Sequence, residues 1–273
     1  MKPANEELQE TLAVERQGSI HRDTLASLKR LSIPAGSALV AALAFLLWQV
    51  ASNYLFVVAA PGAAISVLVS GFTQGWIIPH AQATFGSAMV GFGLAILLGV
   101  GWGIFLGVST FWRSVWEPLL LSAYAVPKLI LFPIFLIFFG IGFQAQVAMA
   151  FIHAVFPLII LTTTGVREIN PVFVKVGRSY NVGLADFLTK IYLPAIALPL
   201  VVALRMGFSL SIIGVVLAEL FASRMGLGRV VMQSYSMLNI PRMYSVILLL
   251  FLVAFVGNVF LWVVEKRLRG VIK

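Results

Sequence analysis

Apolar residues in this chain are grouped into segments of about twenty, the length that a helix needs to cross the hydrocarbon core of a bilayer. Six segments predict spanning helices, at residues 33–52, 87–108, 118–139, 147–165, 195–220 and 245–264. A seventh segment, 55–72, is uncharged, but Pro61-Gly62 interrupts it early and would leave only a short amphipathic piece. The pattern therefore predicts an all-α, polytopic protein with six spans.

Composition agrees with this prediction. Hydrophobic residues make up 60% of the 273 residues, charged residues only 11%, and the mean hydropathy is +1.01. A soluble domain of this size needs more charge to cover its surface. The net charge of +9 is explained by basic residues that collect beside membrane spans, so we do not expect nucleic-acid binding. The chain has no cysteine, which excludes disulfides and cysteine metal sites.

The distribution of lysine and arginine predicts the orientation. With six spans, both tails and the second and fourth loops lie on one side. That side carries fourteen basic residues: Lys2, Arg16, Arg22, Lys29, Arg30, Arg113, Arg167, Lys175, Arg178, Lys190, Lys266, Arg267, Arg269 and Lys273. The other side has three, Arg224, Arg229 and Arg242. By the positive-inside rule, residues 1–32 and 265–273 are predicted cytosolic tails, around a transmembrane domain at 33–264.

The longest cytosolic connection, residues 166–193, is predicted to fold as a helix–turn–helix finger. Val172, Val176 and Tyr180 fall on one helical face, and Asn181-Val182-Gly183 interrupts the pattern. A second short helix is predicted from 184 to about 192, with Asp186 in its first turn, where a carboxylate suits the helix dipole. A finger of this size suits docking onto another protein.

The finger also carries a recognisable motif. Lys175-Val176-Gly177, Asn181, Ile191 and Leu193-Pro194 have the spacing of the permease signature of bacterial ABC importers, which is Glu-Ala-Ala, three residues, Gly, nine residues, Ile, one residue, Leu-Pro. The chain resembles this family but departs from it at the Glu, at the second Ala and at the turn Gly. Asn181 is a mild change because Asn accepts the left-handed conformation readily. Lys175 reverses a charge at the docking surface, and Gly177 weakens the first helix by about 1 kcal/mol.

Other segments are similar to the nitrate, taurine, sulfonate and bicarbonate branch of that family. These are Val126-Pro127-Lys128, Phe132-Pro133 and the run from Phe138 to Gly142, followed by Ala218-Glu219 with Gly226-Leu227-Gly228. The resemblance implies the type I importer fold (the MetI-like fold) and a place in the bacterial inner membrane. It also implies an assembly of two permease copies, usually identical, with two ABC ATPase subunits and a periplasmic or lipid-anchored substrate-binding protein. It assigns ATPase coupling to Lys175, Val176, Gly177, Tyr180, Asn181, Val182, Gly183, Asp186, Ile191, Leu193 and Pro194.

Nucleotide chemistry is expected on the partner. The chain has no GxxxxGK[ST] loop, so ATP and Mg²⁺ are expected on the ATPase and no cofactor on this chain. The chain itself is therefore not expected to be an enzyme.

Charged residues inside spans are costly and normally face a cavity or a partner. Lys128 and Arg205 each lie about ten residues into a predicted helix, roughly 15 Å deep. We expect them, with Glu219 and His153, to line a translocation path for a small anion. For Lys128 the alternative is a side chain that snorkels or bonds a helix carbonyl, and for Arg205 a purely structural role. Glu219 would pair with Arg224 or contact the binding protein, and His153 would be satisfied in the interior or act in a proton relay.

The glycine stripe Gly99, Gly103 and Gly107 predicts close helix packing, either within one subunit or at a dimer seam.

Two other function classes fit less well. A stand-alone ion-coupled carrier usually shows repeats and several buried acids, and a membrane enzyme needs clustered His, Asp or Glu. Neither pattern is present, and the lone histidines have no metal-site spacing; His80 is expected in an exposed outer loop.

Overall fold

The computed structural model describes residues 36–271, and in that range the chain is helical with short connections. The helices in chain order are α1 (Gly36–Tyr54), α2 (Pro61–Thr73), α3 (Ile77–Val108), α4 (Thr110–Ala125), α5 (Phe132–Phe139), α6 (Phe143–Arg167), α7 (Pro171–Ser179), α8 (Leu184–Asp186), α9 (Leu193–Ala195), α10 (Ala197–Phe221), α11 (Leu227–Ser236) and α12 (Ile240–Val271). The predicted tail at 1–32 and the predicted helix start at 33 lie outside the described residues.

Within the described range, five helices are long and apolar enough to span a membrane: α1, α3, α6, α10 and α12. A bent pair, α4 with the segment Lys128–Phe139, counts as the sixth span. The rejected seventh candidate forms only α2, a helix of 13 residues that begins at Pro61. These elements confirm the all-α fold, with six spans when the bent pair is taken as one, and the place at which the sequence interrupts segment 55–72.

The third span is not the straight helix predicted at 118–139. Its two parts meet at an angle of 87°. Val126 is extended, with ψ of 131°, and Pro127 follows it before a single 3-10 turn over Lys128–Leu131. Proline has no N–H for the helix ladder, and its ring disfavours the helical conformation of the preceding residue. The break therefore has a local cause, and any depth measured along a continuous helix is wrong here.

Two other predicted spans are longer in the structure. α3 begins at Ile77, ten residues before the predicted 87, because Ile77 is fully buried against Leu227, Val230 and Val246. α12 continues beyond 264 to Val271, so most of the predicted tail at 265–273 is helical. A Glu265–Arg269 ion pair of 2.7 Å, one turn apart, stabilises this extension.

The chain divides into two units, Met1–Gly62 and Ala63–Lys273. In the described part of the first unit, the Trp48 indole N–H donates to the Ala59 carbonyl at 2.9 Å and closes the turn after α1. The apolar residues of α1 are exposed, Leu47 by 70%. This is expected of a helix whose solvent is lipid.

In the second unit, α6 packs between α3 and α10. The glycine stripe of α3 makes this close approach possible: a Cβ at Gly99 would lie 2.9 Å from the Cβ of Leu158, and one at Gly103 would lie 2.6 Å from that of Thr162. Gly107 meets Val166 in the same way. The stripe is therefore used inside the subunit, which is one of the two alternatives left open by the sequence.

Candidate functional site: the finger and the membrane charges

The finger predicted at 166–193 occupies residues 171–195 in the structure, between α6, which extends to Arg167, and α10. It begins where Asn170 caps α7: its side chain accepts from the Val172 N–H at 2.9 Å, and Pro171 occupies the first helical turn. After the turn, α8 leads into one π-helical stretch, Phe187–Tyr192, and then α9. The predicted helix–turn–helix is confirmed, with a wider second helix than the sequence indicated.

The turn of the finger depends on Asn181, which is left-handed with φ of 48°. The Val182 N–H donates to the Gly177 carbonyl and the Asn181 N–H donates to the Arg178 carbonyl, both at 3.1 Å. This pair of bonds is the Schellman motif that ends many helices, usually with Gly at the left-handed position. Asn181 fills that role here, as the sequence predicted for the residue that replaces the family glycine.

Gly177 holds the two arms of the finger together. It is buried, and an added Cβ would lie 2.6 Å from Cε2 of Phe187 and would overlap Cδ1 of Ile191. The sequence pointed only to its cost in helix propensity. The structure shows that the missing side chain lets α7 lie directly on the second arm.

The outer side of the finger is an open apolar groove of about 460 Å³. We call it the finger groove; its lining includes Phe173, Val176, Tyr180, Val182, Ile191 and Pro194. The predicted face Val172, Val176 and Tyr180 points outward, with exposures of 56, 48 and 79%. An exposed apolar groove of this kind is typical of a surface that docks onto another protein.

The charged residues of the finger are exposed. Lys175 lies on α7, and Asp186 pairs with Lys190 at 3.0 Å along the second arm. Such an exposed pair contributes little to stability, about 0.5 kcal/mol. The finger therefore presents these charges to its surroundings.

The base of the finger is anchored in the core. Tyr192 and Ile196 are buried with Val166 of α6, and Ile104 of α3 and Leu200 of α10 pack against them. The exposed residues Leu193 and Pro194 connect the second arm directly to α10. The base of the finger therefore contacts three long helices, α3, α6 and α10.

Lys128 lies in the 3-10 turn at the break of the third span. Its ammonium donates to the Tyr124 carbonyl at 2.8 Å and lies 4.5 Å from the centre of the Tyr124 ring and 5.5 Å from that of Phe156. The carbonyl that it bonds is one that the break leaves without its helical partner. Lys128 is only partly exposed, with a carbonyl and two aromatic faces as neighbours.

His153 lies on α6, three residues before Phe156. Its Nδ1 is 2.8 Å from the Met149 carbonyl, and its side chain is buried against Gly214 of α10. It has the satisfied interior position that was one of the two alternatives for this residue.

Arg205 is held by an acid that the sequence did not single out. Its Nη1 lies 3.1 Å from Oε2 of Glu265, which also binds Arg269. Glu265 is near the end of α12, and Arg205 is the ninth residue of α10, counted from the finger. The equal depth expected for Lys128 and Arg205 rested on a straight third helix, which the break at Val126-Pro127 does not provide. The only sequence signal for Glu265 was its charge at a span end, opposite in sign to that of Arg205.

Glu219 does not pair with Arg224, the alternative that the sequence offered. Its carboxylate accepts from the Thr84 hydroxyl at 2.8 Å and from the Gly228 N–H at 2.8 Å, while the Leu227 N–H donates to the Thr84 oxygen. Glu219 is 1% exposed and Thr84 is completely buried. We call this group the carboxylate knot; it ties α3, α10 and the first turn of α11.

Gly226 is part of the same knot. Its φ is +130°, and an added Cβ would overlap the Glu219 carboxylate. Its N–H donates to His80 Nδ1 at 3.1 Å, so His80 is engaged in the structure, unlike its predicted exposed position in an outer loop. The Gly226-Leu227-Gly228 segment, noted as a family pattern, thus has a physical basis in making room for the carboxylate.

The four residues predicted to line one path therefore do not form one cluster. Lys128 lies against the ring of Phe156, three residues after His153 on α6, whereas Arg205 and Glu219 are fourteen residues apart on α10, roughly 21 Å. Within residues 36–271, no three His, Asp or Glu side chains are placed to hold a metal ion.

Comparison with known proteins connects this geometry to a family. Residues 95–270 match the family model described as binding-protein-dependent transport system inner membrane component. The taurine transport system permease protein of Escherichia coli strain K12 is 26% identical over 198 residues, 72% of each chain. The nitrate import permease protein of Leptolyngbya laminosa is 29% identical over 167 residues, 61% of this chain and 60% of its own.

The fold has a solved counterpart. An inward-facing structure of the MetNI methionine ABC transporter aligns with a TM-score of 0.62 and 16% identity, covering 72% of this chain and 98% of that one. At this identity the likeness concerns the fold, and it confirms the MetI-like arrangement of helices predicted from the sequence.

Proposed function

Because this chain belongs to the family of inner membrane components of binding-protein-dependent transport systems, we propose that it forms the translocation path of an ATP-driven importer and that its finger receives the motion of an ABC ATPase. The finger groove is the observation that carries the proposal. Tyr180, which lines this groove, is 79% exposed. An apolar surface this open on a projection into water is stabilised when a partner covers it.

The connection between groove and helices supports the same function. The Schellman turn at Asn181 and the contact at Gly177 make the finger one stiff piece, and Tyr192 and Ile196 join it to the core. A force on the groove would thus shift α6 and α10 instead of bending a loop. This is what coupling of ATP binding to the membrane helices requires.

The assembly that follows contains two copies of this permease, two ATPase subunits and a binding protein outside. Both tails lie in the cytosol in this proposal, because fourteen of the seventeen lysines and arginines outside the spans lie on the finger side. A carrier acting alone is less well supported, since it would leave the finger groove without a partner.

We propose a small anion as the solute. The relatives described above are named for taurine and nitrate, which both carry an anionic group. Among the described residues, Lys128 is well placed to meet such a group, because it lies at the break of a span, is partly exposed and has no carboxylate to neutralise it among its described contacts. Its bond to the Tyr124 carbonyl is the structural alternative named for this residue, and it leaves the positive charge in place.

Single cysteines test the coupling, since the chain has none of its own. Tyr180→Cys should form a cross-link to the ATPase subunit encoded beside this protein when both are expressed together. Met237→Cys, 66% exposed beyond the other end of α10, is the matched control and should give no ATPase adduct. Equal labelling of both sites, or uptake by the purified chain without any ATPase, contradicts the proposal.

A further inference from the structure

A shallow cleft lies between α4 and α6, at the end of these helices next to the finger. Leu120, Leu121 and Ile160 form its apolar wall, and Arg113 and Arg167 lie at its polar end. The enclosed part measures about 40 Å³, so a long ligand would have to lie along the open side. An apolar wall beside two arginines is the combination of groups that suits a phospholipid, since the wall can contact an acyl chain and the arginines a phosphate.

The polar end carries a net positive charge. Glu117 also lines it, but its carboxylate is 3.8 Å from Arg113 Nε and is half exposed, a weak pair that leaves Arg113 available. Arg167 is the last residue of α6 and is exposed. One carboxylate thus faces two guanidinium groups, whose planar donors suit a phosphate.

The same corner of the molecule carries an aromatic cluster. Trp102 lies 5.3 Å from Trp116 between ring centres, Phe105 lies 6.2 Å from Trp112, and Phe111 continues the row. Phe111 and Trp112 are 67 and 44% exposed. Tryptophan is enriched at the headgroup level of membranes, so the cluster indicates that the cleft lies at that level.

From these observations we propose that the cleft between α4 and α6 binds an anionic phospholipid, with its phosphate on Arg113 and Arg167 and an acyl chain along Leu120 and Ile160. A soluble phosphate would use only the arginines and leave the apolar wall without a role. Arg167 precedes the first finger helix by four residues, so a bound lipid would tie α4 to the base of the finger.

Native mass spectrometry of the purified protein tests this site by titration with dioleoyl phosphatidylglycerol and, separately, dioleoyl phosphatidylcholine. The wild type should prefer the anionic lipid, and the double variant Arg113→Gln/Arg167→Gln should lose about tenfold or more of that affinity, at about 1 kcal/mol for each arginine near a membrane surface. Glu117→Gln should strengthen binding, a gain that misfolding cannot imitate.

The control is the charge-matched double variant Lys266→Gln/Arg267→Gln on the exposed end of α12, which should bind phosphatidylglycerol as the wild type does. Three results would overturn the site: equal binding of both lipids, an equal loss in the control, or displacement of the lipid by glycerophosphoglycerol at matched concentration. The last result would identify a soluble-anion site instead.

Discussion

Arg205 of α10 and Glu265 of α12 form an ion pair of 3.1 Å in which the carboxylate is 8% exposed and the guanidinium one third exposed. A second arginine, Arg269, binds the other oxygen of the same carboxylate at 2.7 Å. The pair joins two spans near the finger and gives Arg205 a structural partner.

Replacing either partner of this pair should lower the free energy of unfolding, but by different amounts for Glu265 and Arg205. Glu265→Gln leaves Arg205 without its counter-charge, whereas Arg205→Met leaves Glu265 still bound to Arg269. We expect Glu265→Gln to cost about 1–3 kcal/mol and Arg205→Met less, because a partly buried charge without a partner is the more costly product. Thermal unfolding in one detergent measures both. A larger cost for Arg205→Met contradicts the assignment.

Gly177 should tolerate no large side chain. Gly177→Leu places a good helix former at the contact with Phe187 and Ile191, so any loss reflects separation of the two arms and not helix propensity. We expect a loss of about 1–3 kcal/mol and faster cleavage of the finger by protease. Gly183→Leu is the control, because nothing lies within 4 Å of a Cβ there. Equal protease sensitivity in the two variants would show that the arms are not held by this contact.

Gly226 should be harder to replace than Gly75, the glycine of positive φ in the turn after α2. Gly226→Ala combines a strained φ of +130° with overlap on the Glu219 carboxylate. Gly75→Ala has a similar problem of positive φ, +78°, but open space around the Cβ. The strain alone costs about 1–3 kcal/mol, and the overlap adds to it. Yield and melting temperature should therefore fall more for Gly226→Ala, and equal values would mean that the knot is not tightly packed.

Lys128→Met should reduce uptake without changing the binding of the ATPase. The substitution removes the charge but keeps the length of the side chain beside Tyr124 and Phe156. If the solute is an anion, we expect the initial rate of uptake in proteoliposomes to fall by about tenfold, as for the loss of one interaction of about 1.4 kcal/mol. Lys128→Arg, which keeps the charge, is the control. Normal uptake by Lys128→Met would remove Lys128 from the path.

The finger shows how far local sequence can predict this protein. Asn is one of the few residue types that accept a positive φ, so Asn181 predicts the turn. The spacing of Val172, Val176 and Tyr180 marks one helical face and predicts the first arm. Both predictions use only residues that are close together in the chain. Whether that face points to the core or to solvent does not follow from spacing. The structure places it outward, because Val174, on another face, packs toward the core.

The third span shows the opposite case. Pro127 was visible in the sequence, but a proline inside an apolar run is compatible with a kinked helix as well as with a break. Hydropathy carries no information on direction, so it indicated one span across an 87° bend. The depth of Lys128 was therefore beyond the reach of a pattern measured along the chain.

The sequence by itself determined that this protein lies in a membrane, and it determined the number of spans, the finger and the family. Each of these depends on composition or on residues close together in the chain. Only the tertiary structure decided that Glu219 is clasped by Thr84 and Gly228, that Arg205 is paired with Glu265, and that Gly177 brings two arms together. These partners are 60 or 135 residues apart in two of the cases, and their meeting depends on how whole helices pack. Packing energy is summed over many side chains at once, and no single segment of sequence contains it.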